Sequence, residues 1–175
     1  LIASDEAVSA FAVETGERVF TIAGGADAID VFYSGRGSPG HLIALGKGVY
    51  RIFTISTDGR GAVPLKVGDG DAAGAAFCVK GGPSPIVYEL AGGGVAARML
   101  TLAGNRADFG PPTRLVDAAG AVACHVDPFS DNVITVSEDG AIRRIDPATG
   151  TTFGLALPAG LAPVATGLAA GRDET

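Results

Sequence analysis

Apolar residues in this chain gather in short runs, some alternating with polar positions and some continuous, and the runs are separated by glycine-bearing turns,. The pairs LIAS and VSAFAVE, HLIALG and VYRIFTIS, GAAFCVKG and PIVYEL, and NVITVS and AIRRI read as neighbouring strands. Turns follow at Thr15-Gly16, Asp58-Gly59, Gly92-Gly93-Gly94 and Thr149-Gly150. From Gly16 to Gly150 the intervals average about 45 residues, the length of a four-stranded propeller blade,. Individual spacings are uneven, so the repeat is degenerate. The pattern predicts an all-β fold of about four β-propeller blades, over residues 1–26, 27–66, 67–104 and 105–158, with 159–175 a tail or the start of a further blade,.

Composition sharpens this reading. The 27 glycines and 10 prolines leave no uninterrupted stretch for a long helix,. The longest helix-compatible segment, Ala159 to Ala170, is broken by its own glycines and Pro163,. Hydrophobic residues at 47% against charged residues at 18% exclude a disordered chain,. No apolar run reaches the roughly 18 residues that span a bilayer, so no membrane partner is expected. The net charge of −6 argues against nucleic acid, whose binders carry a positive footprint,. The chain opens directly in a strand at Leu1 and ends in GLAAGRDET. An unclosed propeller would leave strand edges in water, so the expected partners are remaining blades of the same protein or a self-associating copy.

The chemistry-bearing residues are few. Cys78 and Cys124 fall on predicted strands at no distinctive spacing and read as buried small apolar residues rather than a disulfide,. Residues 35–40, GRGSPG, match a dinucleotide-loop pattern, but Pro39 and a strand follow where a helix N-terminus is needed, so a hairpin loop is expected,. Asp69 and Asp71 in VGDGDAAG have the spacing of a calcium loop's first ligands without its later ones, and read as a solvated turn,. His41 and His125 lack ligand-spaced partners, and Ser38, Ser130 and Ser137 lie in ordinary turns, so neither histidine is assigned a catalytic role,. The richest segment is Val122 to Asp146, VACHVDPFSDNVITVSEDGAIRRID. There the strand-end pair Glu138-Asp139 supplies either calcium-binding oxygens or a polar hairpin corner turned by Gly140,.

That segment resembles a blade of the β-propeller phytases, with Cys124, Asp127, Ser137-Glu138-Asp139 and Gly140-Ala141-Ile142 in matching order. The opening LIASDEAVSAFAVETGERV, and the stretches LIALGKGVYRIFTISTDGRG and FCVKGGPSPIVYEL, resemble other blades of that family. The resemblance implies a six-bladed propeller of which this chain is part. It also implies calcium held by carboxylates at one end of the channel, and hydrolysis of phosphate monoesters of inositol phosphates. Carried over by position, Glu138 and Asp139 would bind metal, while Lys47 and Lys80 would contact substrate phosphate. A periplasmic or extracellular location is likewise implied. The departures are that Val122 replaces a glutamate, Asp5 and Glu6 replace a turn lysine, and Arg143 replaces a tryptophan. An acid where phosphate needs a cation is repulsive. The alternative expectation is therefore a non-catalytic propeller scaffold that binds a protein or polysaccharide.

Overall fold

The structure, a computed structural model, describes residues 1–74 and 76–155, so Ala159 to Ala170 and the 159–175 tail lie outside the described residues. The described residues contain no helix and form four sheets. The first sheet is a meander of β1 (Ile2–Ala3), β2 (Ala7–Phe11) and β3 (Arg18–Ala23). The second is a four-stranded meander of β4 (Ala28–Tyr33), β5 (Gly40–Gly46), β6 (Val49–Ile55) and β7 (Ala62–Pro64). The third comprises β8 (Lys66–Gly68), β9 (Ala76–Lys80), β10 (Ile86–Ala91), β11 (Gly94–Ala103), β12 (Arg106–Phe109) and β13 (Thr113–Asp117). The fourth is again a meander, β14 (Ala121–Val126), β15 (Val133–Ser137), β16 (Ile142–Ile145) and β17 (Thr152–Leu155). Among the described residues no sheet closes on itself.

The third sheet explains why the turn spacing looked uneven. Its β9, β10, β11 and β13 form an antiparallel meander like the others, but β11 is ten residues long and serves two partners. Its first half pairs β13, and its far end pairs β12, which in turn takes β8 in parallel. Gly92-Gly93 therefore turns between the second and third strands of its meander, matching Lys47-Gly48. Gly16, Gly59 and Gly150 instead mark the turn between the last two strands of theirs.

The period of two along a strand divides the core. On β5, Leu42 and Ala44 pack with Val8 of the first sheet, whereas Ile43 and Leu45 pack with Phe77, Val79 and Val87 of the third. On β10, Val87 faces the second sheet while Tyr88 and Leu90 join Val126, Val133 and Ile145 of the fourth. Each fully buried aliphatic side chain contributes about 1.5–3 kcal/mol relative to exposure. The inner sheets are thus covered on both faces, which is why HLIALG and IVYEL are continuous apolar runs interrupted only by His41 and Glu89,.

The leading strands β4, β9 and β14 lie side by side. Asp30 on β4 accepts from the Val79 backbone N–H on β9 at 2.9 Å, and the Tyr33 carbonyl accepts from Gly82 N–H at 2.7 Å. Cys78 on β9 is disulfide-bonded to Cys124 on β14, with a Cα separation of 5.6 Å. This corrects the reading of two free apolar thiols. Cys78 is indeed buried, but adjacency of β9 and β14 brings together residues 46 apart in sequence.

An arginine on the third strand of each of these meanders grips the linker that enters it. Arg51 on β6 donates to the carbonyls of Ala23, Gly24 and Gly25 at 2.7–2.8 Å. Arg98 on β11 donates to Asp69 and Asp71 at 2.9 and 2.8 Å, and Arg143 on β16 reaches Ala119 at 3.4 Å. Each guanidinium satisfies carbonyls that leave the ladder between sheets, where unpaired polar groups are costly.

Candidate functional site

Linkers and hairpins converge at one end of the sheets. Ala26 N–H bonds the Ser4 carbonyl, Ala72 N–H that of Gly48, Ala118 N–H that of Gly93, and Glu138 N–H that of Gly120. Each bond ties a linker that enters a meander to a hairpin: the Ser4 hairpin joins β1 to β2, and the other three join the second and third strands of their meanders. A cleft lies at each junction on this face, of about 430 Å³ between sheets one and two, about 310 Å³ between two and three, and about 130 Å³ between three and four.

Only the first cleft is rich in charge, lined by Asp5, Asp27, Lys47 and Arg51. Lys47 stands in a two-residue hairpin at φ 55°, and its backbone N–H donates to Asp27 Oδ2 at 3.1 Å. That bond helps hold a non-glycine residue in the left-handed region the turn requires. Its ammonium makes no ion pair among the described residues, whereas Arg51 is engaged by the three linker carbonyls. Gly25 permits the close approach that shapes the cleft, because a Cβ there would stand 2.1 Å from the Asp5 carbonyl oxygen.

Glu138 and Asp139 lie on the same face, in the β15–β16 hairpin and two sheets away from Lys47. Both are exposed, and Asp139 Oδ1 accepts from Ala141 N–H at 3.0 Å, closing the turn. Among the described residues no group of three or more His, Cys, Asp or Glu side chains is placed to hold a metal ion. Lys80 ends β9 at the opposite end, where its ammonium pairs with Asp131 at 2.7 Å. The fold therefore gathers Lys47, Glu138 and Asp139 on one face and leaves Lys80 on the other.

The Asp69–Asp71 turn encloses a cation of the protein's own. Its two carbonyls hold the Arg98 guanidinium, with Asp69 Oδ2 3.8 Å away. Behind Arg98 lies Glu89, fully buried at 3.8 Å, and neither of its carboxylate oxygens finds a hydrogen-bond donor in good geometry among the described residues. Phe109 sits between Arg98, 4.7 Å from the ring centre, and Tyr50, with ring centres 5.0 Å apart. Burial, and then the Glu89 carboxylate, push the Tyr50 phenol well above its usual range,.

At the Lys80 end, the second sheet aligns three polar side chains. His41 is 7% exposed, with Nε2 3.2 Å from Ser34 Oγ and Nδ1 3.3 Å from Thr54 Oγ1. Burial holds the imidazole below its ordinary value. Sequence reasoning passed over Ser34, because its partners lie on separate strands at separations of 7 and 13 residues with no motif spacing.

No protein-family profile matches the chain, and no curated protein matches it at a significant level.

Proposed function

We propose that these sheets are blades of a β-propeller, and that the linker-bearing face binds a protein partner instead of hydrolysing inositol phosphates with calcium. Consecutive meanders with leading strands side by side support the propeller,. The observation that carries the functional reading is the separation of the lysines. Phosphate recognition needs cations converging on one ligand, whereas Lys47 and Lys80 occupy opposite ends and Lys80 is already paired with Asp131. The three clefts are shallow features walled mainly by glycine and alanine backbone, with a charged rim at Asp5, Asp27 and Lys47. Among the described residues no aromatic platform for sugar rings lines them, which favours a protein over a polysaccharide,.

Calorimetric titration with calcium, alongside phosphate release from phytate, tests this reading. The expected result is neither multi-site calcium uptake nor phosphate release. Multi-site uptake with release, both lost in Glu138→Gln and weakened in Lys47→Ala and Lys80→Ala, would replace it with the phytase reading.

A further inference from the structure

We propose that Ser34 is a histidine-activated nucleophile, open to acylation or phosphonylation from the cavity beside it. This site is separate from the linker-bearing face. Ser34 follows the last residue of β4, His41 lies on β5 and Thr54 on β6, and the register pairs Phe32 with His41 and His41 with Thr54. The imidazole is clamped against Phe32, with ring centres 5.3 Å apart. In the tautomer that carries its proton on Nδ1, the ring donates to Thr54 Oγ1 and Nε2 accepts from the Ser34 hydroxyl. These are the roles of nucleophile, base and orienting group. Burial keeps His41 neutral at neutral pH, the state in which it can take a proton,.

Ser34 also lines a cavity of about 380 Å³. Pro85, Met99 and Leu102 supply apolar wall, and the hydroxyl-bearing Ser84 and Thr101 also line the cavity. The space suits a small ester or phosphonate with a short apolar group. In the acyl reaction, Ser34 Oγ forms a bond to the carbonyl carbon and its proton passes to His41 Nε2. The ester C–O bond then breaks, and the alcohol leaves with that proton. A fluorophosphonate follows the same course, forming O–P, breaking P–F and releasing fluoride, with the proton held by His41. A purely structural cross-strand polar contact would make the same hydrogen bonds without this reactivity.

The test is to incubate the full chain with a fluorophosphonate probe at neutral pH, then follow intact mass and map the adduct. One phosphonyl group on Ser34 is expected, absent in Ser34→Ala and retained in Ser38→Ala. His41→Gln should slow labelling by about 10²-fold, the usual contribution of a general base. Thr54→Val should slow it several-fold, with the rate restored in Thr54→Ser, a recovery that loss of folding would not give. No adduct on folded protein, an adduct spread over Ser38, Ser84 and Ser130, or a Ser34 rate indifferent to His41→Gln overturns the proposal.

Discussion

The junction between sheets two and three packs against buried charge that belongs to the third sheet, and the junction between sheets three and four carries a covalent bond within apolar packing. At the first, Arg98, Glu89 and Tyr50 sit among Phe77, Val87, Leu100 and Phe109, and Asp30 reaches across to β9. At the second, the Cys78–Cys124 disulfide joins β9 to β14 among Tyr88, Leu90, Val126 and Ile145. The third sheet takes part in both, so one scaffold carries two modes of attachment with different weaknesses. Buried charge is sensitive to loss of one partner and to protons. A disulfide is sensitive to reductant, and its stabilisation comes mainly through the unfolded chain.

Removing one partner of the charged junction is expected to have the largest effect. Arg98→Met leaves Glu89 buried without its cation and strips the Asp69, Asp71 and Gly110 carbonyls of their donor. A loss of roughly 3–5 kcal/mol is expected in urea denaturation. A loss under about 1 kcal/mol would mean that the buried Arg98 contacts contribute little to this junction.

Breaking the disulfide comes next. The paired change Cys78→Ala, Cys124→Ala frees a closure of 46 residues, for a loss of about 2–4 kcal/mol,. Hydrogen exchange after reduction should find protection falling first in β14–β17, while β4–β6 keep theirs. Equal loss across all sheets would erase the contrast between the junctions.

A smaller effect concerns pH, and the two groups involved act in opposite directions. Burial lowers the His41 pKa from its ordinary 6.5, so its contribution is fully present above 6.5 and is lost as pH falls through the folded value,. Burial is also the largest influence on Asp30, raising it from 3.8 against two backbone N–H donors. The stability linked to its protonated form is therefore present below 3.8 and lost as pH rises through the folded value,. Melting temperature is expected to fall as the solution is acidified below 6.5, and His41→Gln should remove that part of the slope. An unchanged slope in His41→Gln would assign it to other groups.

The smallest effect lies at the half-exposed Lys80–Asp131 pair. Asp131 holds φ at 60° in the turn DPFSDN, where the matching turn DPATGT has Gly150 at 71°. Asp131→Gly relieves the left-handed backbone but loses the ion pair, and each is worth about 1 kcal/mol or less. Net stability should therefore move by under about 1 kcal/mol, with a stabilising trend as salt screens the wild-type pair. A large loss would mean that Lys80 is essential to the seam between β9 and β14.

Much of the local structure was legible beforehand. Glycine and proline density leaves no stretch for a long helix and the described residues contain none, and the strand–turn–strand order of Val122 to Asp146 is the order of β14, β15 and β16. GRGSPG is the loop of the β4–β5 hairpin, as its Pro39 and following strand indicated. The site was less legible. Asp69 and Asp71 form a turn with solvent-facing carboxylates, as their spacing implies, but their carbonyls are filled by Arg98 from 29 and 27 positions away. Nothing adjacent in sequence announces such a partner.

Sequence alone determined that this protein is built of strands, because a period of two and turn-forming residues are local properties that the backbone must obey. Tertiary structure decided which face of each strand meets which sheet, and hence every interaction across a junction. Alternation places Val87 and Glu89 together on one face of β10 and Tyr88 on the other, without naming the sheet that covers either. The Cys78–Cys124 bond and the Asp30–Val79 contact arise from adjacency between sheets that no local rule relates, whereas the Glu89–Arg98 pair and the alignment of Ser34, His41 and Thr54 follow from strand register within one sheet.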